Sequence, residues 1–489
     1  MIRVLGSAQT VCGGFSRREL LRIGGLSLFG LTLPELLKAE AQGATLPAKP
    51  GPGRAKSVIL LYLFGGPPVH ETYDPKPLAP REIRGEFGSI PTSVPGIHFC
   101  ELLPKSAQWM NRSTLVRSAH HDSNDHSAGL LHTMSGLPPD RLESLVPILS
   151  TQAPGMNAVI EYLAREERRA IPASIWMPCY PGWGQQIYRP GPYAGFLGPR
   201  YHPLFTQCDI RDRYEPRDFY DTQRHPKAQL NVPATQLAPS LTLDRLQHRQ
   251  SLSEQLSRES TRIGESPDYE KFDDYQRKAF DILSANGSAG GDSPWRAFEL
   301  NEESSTLRDQ YGRHLYGEAA LTARRLVERG VRFVTVSWES FEKTGADPAA
   351  WDTHEKHFSI LKDYRLPLLD QVYSTLCDDL QSRGLLDETL VVVMGEMGRA
   401  PKVNNAGGRD HWSYLYNVLF TGAGLKKGFV YGSSDNKGYR PETHPVTPGD
   451  IIATIYAAMG IDTNSTIEDA NRRPHPVVPE GNPITAILS

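Results

Sequence analysis

The apolar positions along this chain fall into short runs divided by turn residues. Ser57-Val58-Ile59-Leu60-Leu61-Tyr62-Leu63-Phe64 is almost unbroken in hydrophobicity and stops at Gly65-Gly66-Pro67-Pro68. A run without polar alternation, ended by glycine and proline, predicts a strand covered on both faces. Ser113 to Arg117 predicts a second, shorter strand. Ala319 to Arg329 has helical spacing and closes at Gly330, and Val331 to Ser337 then predicts a strand. The pairing recurs, with a long helix over Phe358 to Arg383 closed by Gly384 and a strand over Thr389 to Met394. Tyr416 to Thr421 adds a strand, and Asp450 to Met459 a C-terminal helix. Alternating helices and strands, with glycine at the helix ends, predict an α/β fold. Its central sheet should be largely parallel, with helices on both faces.

Two regions break this rhythm. Ser16-Arg17-Arg18-Glu19-Leu20-Leu21-Arg22 is a twin-arginine pattern, followed by the uncharged stretch Ile23 to Pro34. That stretch fits a signal and is too short for a membrane span of about 20 residues. Ala39-Glu40-Ala41 has the small-x-small form of a cleavage site. Residues 1–41 are therefore expected to be an export signal presented to the twin-arginine translocase, and residues 42–56 a linker. Residues 57–489 are expected to form the α/β domain, and the mature protein is expected in the periplasm or at the cell surface, without a transmembrane span. The second break is residues 138–293, rich in Pro, Tyr, Gly, Arg and Gln, with Tyr188-Arg189-Pro190-Gly191-Pro192-Tyr193 inside it. It is expected to be a loop-rich insertion or cap over one end of the sheet, its stretch Leu241 to Arg262 forming a solvated helix.

Composition narrows the function. There are 53 basic and 56 acidic side chains, a formal charge of −3, which argues against general nucleic-acid binding. The 43 glycines and 39 prolines among 489 residues point to long ordered loops. Cys100, Cys179, Cys208 and Cys377 lie far apart, without the Cys-x-x-Cys spacing of a zinc or iron–sulfur site. Cys179 with Cys208 is the one disulfide to consider; four separate thiols is the simpler expectation.

His, Asp and Glu gather in five clusters. One holds His70, Glu71 and Asp74; a second runs His120-His121-Asp122-Ser123-Asn124-Asp125-His126-Ser127. A third holds Glu339 and then Trp351-Asp352-Thr353-His354-Glu355-Lys356-His357. The last two are Gly395-Glu396-Met397-Gly398-Arg399 and Gly408-Arg409-Asp410-His411-Trp412. Four of the five follow the carboxyl end of a predicted strand, and ligands bind outside those ends in open α/β sheets. Imidazole and carboxylate together suit a divalent metal, Zn²⁺ or Mn²⁺ ahead of Ca²⁺ or Mg²⁺. Candidate ligands are Asp352, His354, His411, Glu396, Asp74 and Asp410. Several keep a second interpretation. Asp352 and His354 share one face of an extended segment, but His354 and His357 could pair on a helical turn, or Asp352 could cap a helix. Glu396 could pair with Arg399 instead of metal, and Asp74 could only hold its Asp-Pro-Lys turn. Ser127, in the first turn of a helix ending at Ser135-Gly136, is the candidate nucleophile beside His126, with His121 a further proton carrier. The alternative is that Asp125 or Ser127 only caps that helix. Arg399 and Arg409 are candidates to bind an anion.

These motifs resemble a bacterial family, domain of unknown function 1501. They are the twin-arginine start, Gly65-Gly66-Pro67 with Asp74-Pro75-Lys76, Asn124-Asp125-His126-Ser127, Trp351-Asp352-Thr353-His354, Gly395-Glu396-Met397-Gly398-Arg399 and Gly408-Arg409-Asp410-His411-Trp412. The family looks like a branch of the alkaline phosphatase/sulfatase superfamily. The resemblance implies an alkaline-phosphatase-like α/β fold with a two-metal site and a nucleophile at a helix start. It implies Asp352, His354 and His411 at one metal, Glu396 at the second, and the nucleophile at His126 or Ser127. The chain departs from that pattern at Phe64-Gly65, where an Asp is usual, and at Met397, where a His is usual. It has no Cys-x-Pro-x-Arg, so formylglycine chemistry is not expected. The resulting expectation is an exported metal-dependent hydrolase of small phosphate or sulfate esters. Its rival is a non-catalytic protein of the same fold that binds sulfated or phosphorylated glycans or a surface partner. An oxidoreductase is a third, weaker option, since no Gly-x-Gly-x-x-Gly follows a strand.

Overall fold

The computed structural model describes residues 55–139, 148–167, 169–182, 188–210, 228–232, 293–338 and 351–489, with isolated positions between 245 and 252. Its centre is an eight-stranded sheet. In chain order the strands are β1 (Ser57–Tyr62), β2 (Ser113–Ala119), β3 (Ser174–Met177), β4 (Leu204–Phe205), β5 (Phe333–Ser337), β6 (Thr389–Met394), β7 (Tyr416–Gly422) and β8 (Phe429–Tyr431). Across the sheet they run β8-β2-β7-β6-β1-β5-β3-β4. β1 is central and pairs in parallel with β6, Tyr62 opposite Met394, and with β5, Tyr62 opposite Ser337. Only β7 is reversed: it is antiparallel to both β6 and β2.

Alternation along β1 divides the core in two. Ile59 and Leu61 join Val391, Val393, Val334 and Val336 on one face. The longer helices packed on that face are α3 (Leu315–Glu328) and α4 (Leu366–Ser382). Val58, Leu60 and Tyr62 join Leu390, Val392 and Met394 on the other. There the cover is α1 (His126–Ser135), α2 (Met156–Leu163) and α5 (Pro448–Ala458). Every residue of β1 and β6 is buried, which is why neither shows the polar alternation of a half-exposed strand. The expected long helix over 358–383 is interrupted by one π turn at Leu361–Arg365, ahead of α4.

Part of the expected insertion belongs to the main body. Residues 156–163, 174–177 and 204–205 lie inside it, yet they supply α2, β3 and β4 to the main body. β3 is only four residues long and stands between Pro172 and Pro178. So short a run carries no readable period. Most of Leu241 to Arg262, Glu339 and the twin-arginine segment lie outside the described residues. Cys100, Cys179, Cys208 and Cys377 are buried free thiols, so Cys179 and Cys208 are not joined. No helix among the described residues is long and apolar enough to cross a membrane.

The reversal of β7 decides where the clusters meet. Tyr416, which begins β7, lies opposite Ala119, which ends β2. The loop before β7 therefore reaches the rim that the loops after β1, β2, β5 and β6 also reach.

Candidate metal centre

His126 is the first residue of α1, whose N-cap is Asp125. Its Nδ1 lies 2.7 Å from Glu396 Oε1, an oxygen that also accepts the Gly65 N–H at 2.8 Å. Because a carboxylate can only accept here, Nδ1 carries the proton and Nε2 presents its lone pair. That Nε2 lies 3.0 Å from Asp352 Oδ2 but is not aligned for a hydrogen bond and has no other partner. Two acceptors facing each other so closely in a buried place need a cation between them or a proton on the ring. With no metal, the proton serves: burial pulls His126 down, but Asp352 and Glu396 outweigh it and raise its pKa to about 9.

Asp352 brings the second segment. Beside it, Gly65 has φ of +110°, and a Cβ there would collide with the backbone of Trp351 and Asp352. Glycine at this position lets the 351–354 segment cross the end of β1. Asp352 Oδ1 lies 2.9 Å from His354 Nε2 and 3.4 Å from His411 Nε2, and Arg399 bonds it from behind. Burial would raise the Asp352 pKa, but Arg399 and His126 hold it well below the usual carboxylate range.

His411 brings the third segment. Gly398–Arg399 and His411–Trp412 form a two-stranded hairpin that sets it at the rim. Its Nε2 is 3.1 Å from His354 Nε2. His126, Asp352 and His411 can each offer one ligand atom, all within 4.8 Å of one another. His354 stands beside them, its Nδ1 3.0 Å from Asp410 Oδ1. An outer carboxylate on a histidine is the usual way of fixing which nitrogen faces a metal. Three carboxylates (Asp352, Glu396, Asp410) against one guanidinium (Arg399) leave the negative excess that a dication would balance. The donor set fits one divalent cation. Among the described residues no second such group of three occurs.

Several expected site residues go elsewhere. Asp410 is exposed and orients His354, so it is an outer carboxylate. Glu396 holds His126 through Oε1, while its buried Oε2 has no partner. Arg399 and Arg409 were candidates for the anion, but both are fully buried. Arg399 donates to the carbonyls of Gly65, Gly66 and Arg409 and to Asp352. Arg409 donates to Glu71 and to the carbonyls of Ile83, Ala400 and Pro401. Asp74 is not at the centre; Lys76, Arg117 and Ser434 hold it. His121 accepts the Ser123 N–H at Nδ1, so its Nε2 donates to the Glu396 carbonyl at 2.6 Å. Burial lowers its pKa to about 3. A neutral ring with both nitrogens engaged does not carry protons. His357 begins a helix, and its Nε2 lies 3.3 Å from Glu71 Oε2.

Ser127 lies next to His126, but the helix start is already occupied. Asp125 Oδ1 takes the Ser127 and Ala128 N–H groups at 2.9 and 3.2 Å. Asp125 is the N-cap, and its carboxylate displaces any anion from those amides. The cation near Ser127 is one the sequence did not single out: Arg189 Nη1 donates to Ser127 Oγ at 3.2 Å. Its guanidinium lies 5.0 Å from the Phe64 ring centre, and Phe64 packs 5.4 Å from the His126 ring. Ser127 is 1% exposed and Arg189 3%. Nothing in Tyr188-Arg189-Pro190 marks this contact.

A family model described as "Protein of unknown function (DUF1501)" matches residues 55–488. The chain belongs to DUF1501. No curated protein matches this DUF1501 chain. It is similar to solved structures at low identity. Ps i-CgsB in complex with k-i-k-neocarrahexaose is 12% identical, with a TM-score of 0.36 over 83% of this chain and 72% of that one. The PsFucS1 sulfatase from Pseudoalteromonas sp. is 13% identical, with a TM-score of 0.35 over 91% and 72%. The alkaline phosphatase from the Antarctic bacterium TAB5 is 13% identical, with a TM-score of 0.34 over 84% and 100%. At such scores the likeness carries no argument about the DUF1501 site, which stands on its own contacts.

Proposed function

We propose that this DUF1501 chain is an exported, metal-dependent hydrolase of phosphate or sulfate esters. One observation carries the proposal: His126 Nε2 and Asp352 Oδ2 face each other at 3.0 Å, out of line for a hydrogen bond, with His411 in ligand range. Two imidazoles with one carboxylate favour Zn²⁺ or Mn²⁺. A cation held by them would supply Lewis-acid polarisation of the ester. Ser127 Oγ is the nucleophile, one residue from a ligand. Arg189 holds the tetrahedral anion, because a guanidinium fork matches its oxygens. The Arg189–Ser127 hydrogen bond must open for an ester to reach the hydroxyl. Residues 1–41 direct export, and Arg17→Lys with Arg18→Lys should leave the protein in the cytoplasm on fractionation.

The test is metal analysis of the purified protein by plasma mass spectrometry, then a panel of phosphate and sulfate esters. Near-stoichiometric metal with turnover that Ser127→Ala abolishes is expected. A fully loaded protein inert to the whole panel overturns the hydrolase. The burial of Ser127 favours the rival, a binding protein for sulfated or phosphorylated glycans. Tyr180 and Tyr188, stacked at 4.1 Å with Tyr188 exposed, would be its sugar-facing surface. Glycan binding that survives Ser127→Ala would decide for it.

A further inference from the structure

Behind the metal centre lies a closed ring of buried contacts that the proposed reaction does not use. Glu71, on the loop after β1, is fully buried. Its Oε1 accepts Arg409 Nη2 at 2.5 Å and Nε at 3.2 Å. Its Oε2 lies 3.3 Å from His357 Nε2, within ion-pair range but not aligned for a hydrogen bond. His357 Nδ1 is 2.6 Å from Thr353 Oγ1. The Thr353 carbonyl accepts the Arg409 N–H at 3.1 Å, which closes the ring. The His357 N–H also bonds the Gly407 carbonyl at 3.2 Å.

Two segments pass through this ring, and both carry ligands. Thr353 sits between Asp352 and His354, and Arg409 precedes Asp410 and His411. A Cβ on Gly408 would collide with the His354 carbonyl, so the two backbones touch here. The relative position of Asp352, His354 and His411 therefore depends on what holds Thr353 and Arg409 together. Glu71 is the one carboxylate in the ring; it accepts from Arg409 directly, and its second oxygen lies against His357, the partner of Thr353.

We infer that Glu71 is a positioning residue for the metal centre, setting the spacing of its 352–354 and 409–411 segments without touching the metal. The inference rests on the metal assignment above. A carboxylate that only stabilised the fold would change unfolding and leave the ligand geometry alone.

The experiment uses the full chain loaded with Co²⁺, with wild type, Glu71→Gln and Asp379→Asn side by side. Asp379 is a buried carboxylate held by Tyr311, Arg324 and Arg383, on the helical face away from the metal. It controls for lost stability. Outer residues of metal sites typically change affinity about 10- to 100-fold. Glu71→Gln should weaken Co²⁺ binding by that factor in competition with a chelator and shift the visible cobalt bands; Asp379→Asn should do neither. In the metal-free protein, the imidazole ¹⁵N resonances of His354 and His411 should also move in Glu71→Gln. If that variant does not fold, Thr353→Val removes the hydroxyl at the same ring, and the same cobalt and imidazole changes are expected. Wild-type uptake of Co²⁺ with unchanged bands and affinity in the variant overturns the positioning role and leaves the metal assignment standing. No uptake by the wild type overturns the metal assignment; the metal-free imidazole resonances then decide the positioning role, and unmoved resonances overturn it.

Discussion

The Glu71–Arg409 pair makes a stability prediction whose sign and size follow from its surroundings. Burial alone would raise the Glu71 pKa, but Arg409 and His357 outweigh it and bring it to about 2, from an ordinary value of 4.5. The folded pKa is depressed, so the unfolded chain binds the proton more readily, and stability rises with pH across that window. The difference is worth roughly 3 kcal/mol, at about 1.4 kcal/mol for each pKa unit. It is fully present above pH 4.5 and is lost as the pH falls towards 2. Glu71→Gln removes the charge and leaves Arg409 buried beside a neutral amide, a change that typically costs about 3–5 kcal/mol in a buried pair. Urea unfolding of wild type and Glu71→Gln at pH 7 and pH 3 checks this. The variant should be less stable by about 3 kcal/mol at pH 7. The gap should narrow by roughly half or more at pH 3, because the wild type has by then lost much of its advantage. Equal stabilities at pH 7, or a gap that does not change with pH, would refute the ion pair as a source of stability.

Three further outcomes are expected. His411→Ala and Asp352→Asn should each weaken Zn²⁺ binding by at least about 100-fold, more than loss of an outer residue does; metal retained in both, by plasma mass spectrometry, would separate these segments from the ion. Arg189→Ala should raise the inhibition constant for inorganic phosphate about 10- to 100-fold, the worth of a charged hydrogen bond of roughly 1.5–3 kcal/mol, and leave Zn²⁺ affinity unchanged; an unaltered constant would remove Arg189 from the anion site. Gly65→Ala should destabilise the fold by at least about 2 kcal/mol, since a left-handed φ and a backbone collision coincide, and a thermal midpoint equal to wild type would contradict that packing.

The sequence made the sheet legible because β1, β5 and β6 are long and apolar enough to signal strands buried on both faces. β3 and β4 are too short to signal anything, so the region that holds them looked like an insertion. The convergence of the candidate ligands was legible for a topological reason, since strand-end loops of a largely parallel sheet converge. His411 comes before its strand instead of after it, and only the reversal of β7, which no local pattern encodes, explains why it arrives at the same rim. A guanidinium that binds carbonyls and one that binds a ligand are identical in sequence. Arg399 and Arg409 spend their donors on the backbone of loops that sequence could not place. Arg189 was overlooked because its partner Ser127 is 62 residues away. His121 sat beside the right cluster, yet its tautomer is fixed by neighbours on both nitrogens.

The reversed strand also ties the chemistry to the history of the chain. β7 lies between β2 and β6, so until it is inserted those two strands have no common neighbour. His126 and His411 are far apart in sequence, and the hairpin carrying His411 leads directly into β7. A growing chain that has not reached Gly422 holds Asp352 and Glu396 but cannot lock the last histidine in place. Pairings this distant form late and slowly, because loop closure precedes any gain from contact. If the centre takes the proposed metal, uptake would therefore wait for β7 to pair, and a chain truncated before β7 would keep Asp352 and Glu396 without the last histidine.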